Sequence, residues 1–162
     1  MLTGQDHFWR ARLWLELEKL PEDKRSEVLP YILEWAGSAR DLSATQIVDG
    51  FAQTFEMRRT TAELFRQCDF LVSPTNQISA YPAHWPSPSN DPMKPFEHIA
   101  FTLPFNMGEQ PALSINCGFT AAGMPIGLQL ATPRYQDAFL MQLGRLYEDA
   151  RGAITNWPQP TI

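Results

Sequence analysis

An α/β layer, with helices packed on a sheet that has too few strands to complete it, is what this 162-residue sequence predicts. Three observations lead there. Helical periodicity dominates residues 1–67, three short strand-forming runs follow, and a last amphipathic helix closes the chain. A single domain of this length can bury roughly 70% of the surface its unfolded form exposes. Composition agrees, with 44% hydrophobic and 19% charged residues, as expected of a soluble globular chain.

Trp9, Leu13, Leu17 and Leu20 recur at helical spacing, so the first helix is expected over about 6–19, ended by Pro21. A shorter helix is expected near 27–39, with Pro30 limiting its start or kinking it and Gly37-Ser38 weakening its end. Ser43 and Gln46 stand at capping-box spacing, Ser43 accepting from the Gln46 amide while Gln46 reaches back. The long helix that follows places Ile47, Phe51, Phe55, Ala62 and Phe65 on its apolar side.

Residues 68–73 hold a short strand, read as buried and stopped by Pro74. From Pro74 to Pro95 six prolines fall in 22 residues, mixed with Tyr81 and Trp85. Such a run, extending to about residue 100, is a wrapping or functional loop rather than a flexible linker, which would lack aromatic residues. The region 101–162 then supplies strands at 112–117 and 126–131 and a helix at 137–150, whose apolar side carries Phe139, Leu140, Leu143, Leu146 and Tyr147.

Several kinds of chemistry are excluded by the residues themselves. A net charge of −5 argues against a nucleic-acid surface, and the one basic pair, Arg58-Arg59, lies between Glu56 and Glu63 on a solvated helix face. No apolar run approaches the roughly 20 residues needed to span a bilayer, and the N-terminal stretch carries Glu16 and Glu18, unlike a secretory signal. Two cysteines, Cys68 and Cys117, without a CxxC pair fit a reducing cytoplasm, with both thiols in the core. The scattered His7, His84 and His98 make no metal site, and no cofactor motif occurs. Gly118 to Gly123 has the glycine spacing of a phosphate loop, but Met124 and Pro125 stand where Lys and Ser/Thr belong. Cys117, at the end of a strand and flanked by Asn116 and Gly118, reads as an inert thiol rather than a nucleophile. No serine occupies a G-x-S-x-G elbow.

Three segments taken together resemble one family, the amidase signature enzymes. They are CDFLVSPT at 68–75, FTLPFN at 101–106 followed by Gly108 and Pro111-Ala112, and CGF at 117–119 running through GMPIGLQL at 123–130. Glu148 near the end of the final helix, and Leu42-Ser43 opening the long one, follow the same layout. The resemblance covers essentially this whole chain and about the last third of the family's length. It implies part of a mixed-sheet fold and an enzyme that cleaves carboxylic amides with a Ser nucleophile, a bridging Ser and a Lys base. Those groups come from the earlier part of the family's chain, and no Ser-Ser pair occurs here. The three lysines, Lys19, Lys24 and Lys94, all lie outside apolar strands, whereas a lysine base must be desolvated. No catalytic residue is therefore expected in this chain, which alone should not hydrolyse amides.

By the same resemblance, Thr75, Tyr81, Trp85, Phe101, Phe105 and Asn106 are the candidates for a substrate pocket in the complete enzyme. Asn116 replaces a proline of the family pattern and offers a polar group at that turn. Ile99 and Ala100 stand where glutamine-using relatives carry an acid, so an apolar acyl group is the expected substrate of the complete enzyme. The expected partners are an N-terminal catalytic segment and a second copy of the chain, because an incomplete sheet leaves an unpaired edge and an uncovered apolar face. A non-catalytic fragment that self-associates or binds a partner is the alternative.

Overall fold

The structure, a computed structural model, describes residues 2–154; positions 1 and 155–162 of the expected 1–162 domain lie outside the described residues. The first helix, α1, spans Leu2–Lys19, starting earlier than the apolar periodicity indicates. Its exposed C-terminal carbonyls are capped from the next turn, α2 (Glu22–Arg25). There the Arg25 guanidinium donates to the carbonyls of Leu17, Leu20 and Glu18 at 2.8–3.2 Å, a cation at a helix C-terminus where the dipole favours it.

Helix α3 runs Pro30–Gly37. Pro30 therefore begins the helix rather than kinking it, because its missing N–H would have no partner in the first turn anyway. A 3-10 turn over Ser38–Asp41 replaces the expected last turn. Leu17 of α1 meets Trp35 and Ala36 of α3 in a small core, with Trp9, Leu13 and Tyr31 packed against it.

Asp6 and Arg10 lie buried at this α1–α3 contact. Trp35 Nε1 donates to Asp6 at 2.8 Å. Arg10 pairs with Asp6 at 2.5 Å and donates to Ser38 Oγ at 2.8 Å.

Helix α4 spans Ala44–Leu64 behind a complete capping box formed by Ser43 and Gln46. Ser43→Ala removes one bond of that box and is expected to cost about 1 kcal/mol, read as a lower urea midpoint with an unchanged slope. The buried face of α4 differs from the expected one. Gly50, Met57 and Thr61 are buried, whereas Phe51 and Phe55 are about half exposed. The reason is the closeness of α1: a Cβ on Gly50 would come within 2.1 Å of the Gly4 carbonyl oxygen. Gln5, fully buried, donates across that contact to the Gly50 carbonyl and to Thr54 Oγ1.

Strand β1 is Leu71–Pro74, shorter than expected and not buried, since its residues alternate between half-buried and exposed. The proline-rich loop is irregular apart from a 3-10 turn at Glu97–Ile99. It packs back on the helices: Tyr31 donates to Ser87 Oγ or the Asp91 carbonyl, 3.0 and 3.1 Å away. Phe96 sits edge-on to both Trp9 and Trp35.

The FTLPFN segment, which carries no helical periodicity, nevertheless forms a helix, α5, over Leu103–Gly108 with Pro104 in its first turn. It lies against α4. Glu109 follows it in the left-handed conformation and pairs with both Arg58 of α4 and Arg134.

Strands β2 (Ala112–Phe119) and β3 (Pro125–Ala131) complete a three-stranded sheet of order β1-β3-β2. All pairings among the described strands are antiparallel, so the expected mixed sheet is represented by antiparallel strands alone. The β2–β3 turn closes through Gly123 at φ 79°, a left-handed conformation suited to glycine.

The ladder slips by one residue between Asn116 and Gly118, leaving Cys117 in a bulge. Asn116 Oδ1 accepts from the Gly118 amide at 2.9 Å and so holds the bulge in place. Neither Cys117 nor Cys68 is the fully buried core thiol that the sequence predicts; both are half-buried.

The last helix, α6 (Asp137–Arg151), covers one sheet face. Leu140 and Gly144 are its buried residues, and a Cβ on Gly144 would meet Leu113 at 2.4 Å. Leu146, expected inside, is exposed, because the close approach at Gly144 turns it outward.

Candidate functional site

Residues two apart in a strand share a face. The face opposite α6 collects Ser73, Thr75, Ser114, Asn116, Gly127 and Gln129, through the register Ser73↔Gln129↔Ser114 and Asn116↔Gly127. Gln129 is buried, with its amide nitrogen donating to Ser73 Oγ and to the Phe101 carbonyl, each at 2.9 Å. This ties β1, β3 and the segment leading into α5 together. One step along, the hydroxyls of Thr75 and Ser114 meet at 2.7 Å, and the Thr75 amide donates to the Gly127 carbonyl. Gly127 is required between them: a Cβ there would come within 2.8 Å of Thr75 Oγ1 and 3.1 Å of Ser114 Oγ.

The row is polar but contains no carboxylate, imidazole or amine. It can orient a bound group by hydrogen bonding, and it cannot supply a general base of its own. The lysines are no substitute. Lys19 and Lys24 are exposed and paired with Glu16 and Glu27, and Lys94 is exposed. Among the described residues no group of three or more His, Cys, Asp or Glu side chains could hold a metal ion.

The six pocket candidates do not converge on one pocket. Thr75 and Phe101 come together on the polar face, Phe101 through its backbone carbonyl. Tyr81 lies beyond them, edge-on to His98 with ring centres 6.0 Å apart; burial pushes the His98 imidazole below its ordinary pKa. On the same seam Gln77 donates to the Glu97 carbonyl at 2.7 Å.

Trp85 faces His84 on the outside of the loop. Phe105 is a core residue against Phe65 of α4. Asn106 is exposed, its amide turned back to the Thr102 carbonyl of its own helix.

Ser73, Ser114 and Gln129 stand outside the expected set. The signal for them is present in the alternation Ser73-x-Thr75 and Ser114-x-Asn116, polar residues at strand period on one face. Arg59, in the basic pair, is exposed and held between Glu56 and Glu63, which raises its pKa further through those two hydrogen bonds.

The family model described as Amidase matches residues 13–141 of this sequence. The chain belongs to the amidase signature family. A glutamyl-tRNA(Gln) amidotransferase polypeptide from Synechococcus sp. (strain RCC307) is 36% identical over 106 residues, which cover 65% of this chain and 21% of that polypeptide. An acylamidase from Rhodococcus erythropolis is 31% identical over 134 residues, covering 80% of this chain and 28% of the acylamidase. Among solved structures, 6-aminohexanoate cyclic dimer hydrolase superposes with a TM-score of 0.74 at 21% identity, over 96% of this chain and 36% of that one.

The fold is thus that of amidase signature enzymes. This amidase-family chain spans about a fifth to a quarter of the length of the curated relatives it matches. Its polar sheet face and proline-rich loop are parts of an amidase architecture.

Proposed function

We propose that this chain supplies the C-terminal part of an amide hydrolase whose nucleophile and base are carried by another stretch of polypeptide. The observation that carries the reading is the family match over residues 13–141 together with a sheet face rich in hydroxyl and amide groups but without an ionisable one. In the complete enzyme a Ser nucleophile activated by a Lys through a bridging Ser would attack the amide carbonyl. A tetrahedral intermediate would form and the amine would leave. The polar face formed by Ser73, Thr75, Ser114 and Gln129 would brace that centre, with Thr75, Phe101 and Tyr81 on the substrate side. Ile99, Ala100 and Phe101 favour an apolar acyl group over glutamine. The two unpaired cysteines suit a reducing cytoplasm.

The test is hydrolysis of an apolar acyl anilide by the chain alone and after adding a separately produced Ser-Ser-Lys segment of an acylamidase. The expected result is no release of aniline above buffer for the chain alone and turnover once the segment is added. Hydrolysis by the isolated chain would overturn the reading.

A second reading, non-catalytic association with a copy of itself or with a partner, draws on the exposed row Val48, Phe51 and Phe55 on α4. A monomer in sedimentation at concentrations up to the solubility limit would count against self-association.

A further inference from the structure

Helix α4 buries one face on α1 and α5, yet it carries a second row of side chains left uncovered by the described residues. Ala44, Val48, Phe51, Phe55, Arg58 and Ala62 follow one another at steps of 4, 3, 4, 3 and 4, the a/d spacing of a coiled-coil seam. All but Arg58 are exposed, Val48 to 66%. The buried Gly50, Met57 and Thr61 lie on a different side. The row is held in place from within the chain. Phe51 meets Phe8 of α1 with ring centres 5.2 Å apart and stands edge-on to Phe55 at 5.4 Å. The Arg58 guanidinium lies 5.6 Å from the centre of the Phe55 ring. From the middle outwards the row is nearly the same in both directions: Phe51 and Phe55, then Val48 and Arg58, then Ala44 and Ala62.

We propose that this row is the seam of a two-fold dimer in which α4 packs antiparallel on α4 of a second copy of the chain. A two-fold axis between Phe51 and Phe55 sets Phe51 against the partner's Phe55, Val48 against the partner's Arg58 and Ala44 against the partner's Ala62. Every contact then occurs twice, as a self-complementary interface requires. The aromatic pairs lie at the centre, and the small alanines let the helix ends approach. A partner unlike this chain gives no reason for such symmetry. Arg58 fixes the direction. Parallel helices would set the two Arg58 side chains together, whereas the antiparallel pair spaces them about 15 Å apart along the axis. Arg58 also brings its own counter-ion, Glu109, so covering its stem strands no charge. Helix α4 has 21 residues. One pair of helices of that length is a small interface, so the dimer is a reversible one. The proposal rests on the self-association reading given above and not on amide hydrolysis.

Sedimentation equilibrium of the chain, over a concentration series up to the solubility limit, is expected to show monomer and dimer in exchange. Val48→Glu and Phe51→Asp change exposed positions, and circular dichroism checks that each variant keeps the wild-type helix content. Each should weaken the dimer by at least about tenfold, the effect of placing a charge at the centre of an interface. Leu146→Glu on α6, at a site as exposed as Val48, should leave the dimer unchanged. Direction is read by oxidising an equimolar mixture of Ala44→Cys and Ala62→Cys chains, with wild type as the control for Cys68 and Cys117. The crosslink between positions 44 and 62 should form in the mixture and not in either variant alone. A folded monomer at every concentration would overturn both this dimer and the self-association reading. A dimer indifferent to Val48→Glu and Phe51→Asp overturns the seam alone, and a crosslink between two copies of position 44 overturns the antiparallel arrangement. Binding of a separately produced Ser-Ser-Lys segment that Val48→Glu abolishes would assign the row to that segment and overturn the proposal as well.

Discussion

Asp6→Ala is expected to destabilise the fold by about 3–5 kcal/mol, the usual cost of stranding one partner of a buried ion pair. The carboxylate accepts from Trp35 Nε1 and is the counter-ion of Arg10, with both charged side chains about nine-tenths buried. Without it the guanidinium keeps only Ser38 Oγ, and the indole N–H faces an apolar methyl. Urea unfolding followed by tryptophan fluorescence gives the measurement. Asp6→Asn separates the two roles, because it keeps an acceptor for Trp35 but not the charge for Arg10, and should fall between wild type and Asp6→Ala. The double replacement Asp6→Leu with Arg10→Met should recover much of the loss, since apolar groups of similar volume leave nothing buried and unpaired. A loss below about 1 kcal/mol for Asp6→Ala, the range of exposed pairs, would mean that water reaches this pair.

Gly50→Ala should be the second large effect, about 2–3 kcal/mol net from overpacking, despite the roughly 1 kcal/mol that alanine gains over glycine inside a helix. The added methyl would meet backbone, the Gly4 carbonyl at 2.1 Å, and then Phe8 Cβ at 3.2 Å. Backbone cannot swing aside as a side chain can, so α1 and α4 must part, and the bonds from Gln5 to the Gly50 carbonyl and Thr54 lengthen with them. Gly4→Ala is the control. The atoms nearest to its methyl would be the amide end of Gln53, a movable group, and the change should stay within about 1 kcal/mol of neutral. Equal losses in the two variants would show that general crowding, rather than the backbone contact, sets the cost.

These glycines also explain which parts of the fold can be read from residue patterns. Local chemistry is legible: the Ser43–Gln46 box, Pro30 as a helix boundary and the strand at 126–131 all follow from residue type and spacing. Which face of a helix turns inward is not, because it depends on how near the neighbour comes. On α4 the large apolar residues Phe51 and Phe55 look like the inner side, yet the closest crossing admits only Gly50 and its small neighbours. The same inversion puts Gly144 inside and Leu146 outside on α6.

At the polar sheet face, the family segments identify the strands. The cross-strand partners that unite Ser73 with Gln129 and Thr75 with Ser114 depend on register, which no single segment specifies. Helix α5 escapes residue patterns because it is too short to show an apolar period, and Pro104 marks a helix start only once its place in the first turn is known.

The order β1-β3-β2 has a further consequence for how the chain acquires its structure. Among the described strands β1 and β2 each pair only with β3, and Leu71 waits for Ala131, sixty positions later, before that ladder can close. During synthesis the helices up to residue 64 can associate through contacts near in sequence, while β1 lacks its β3 partner until the last of the three strands emerges. Closing that long loop is entropically slow. The sheet is therefore the late-forming unit, and the exposed β1 segment is where a stalled or nicked chain would aggregate first.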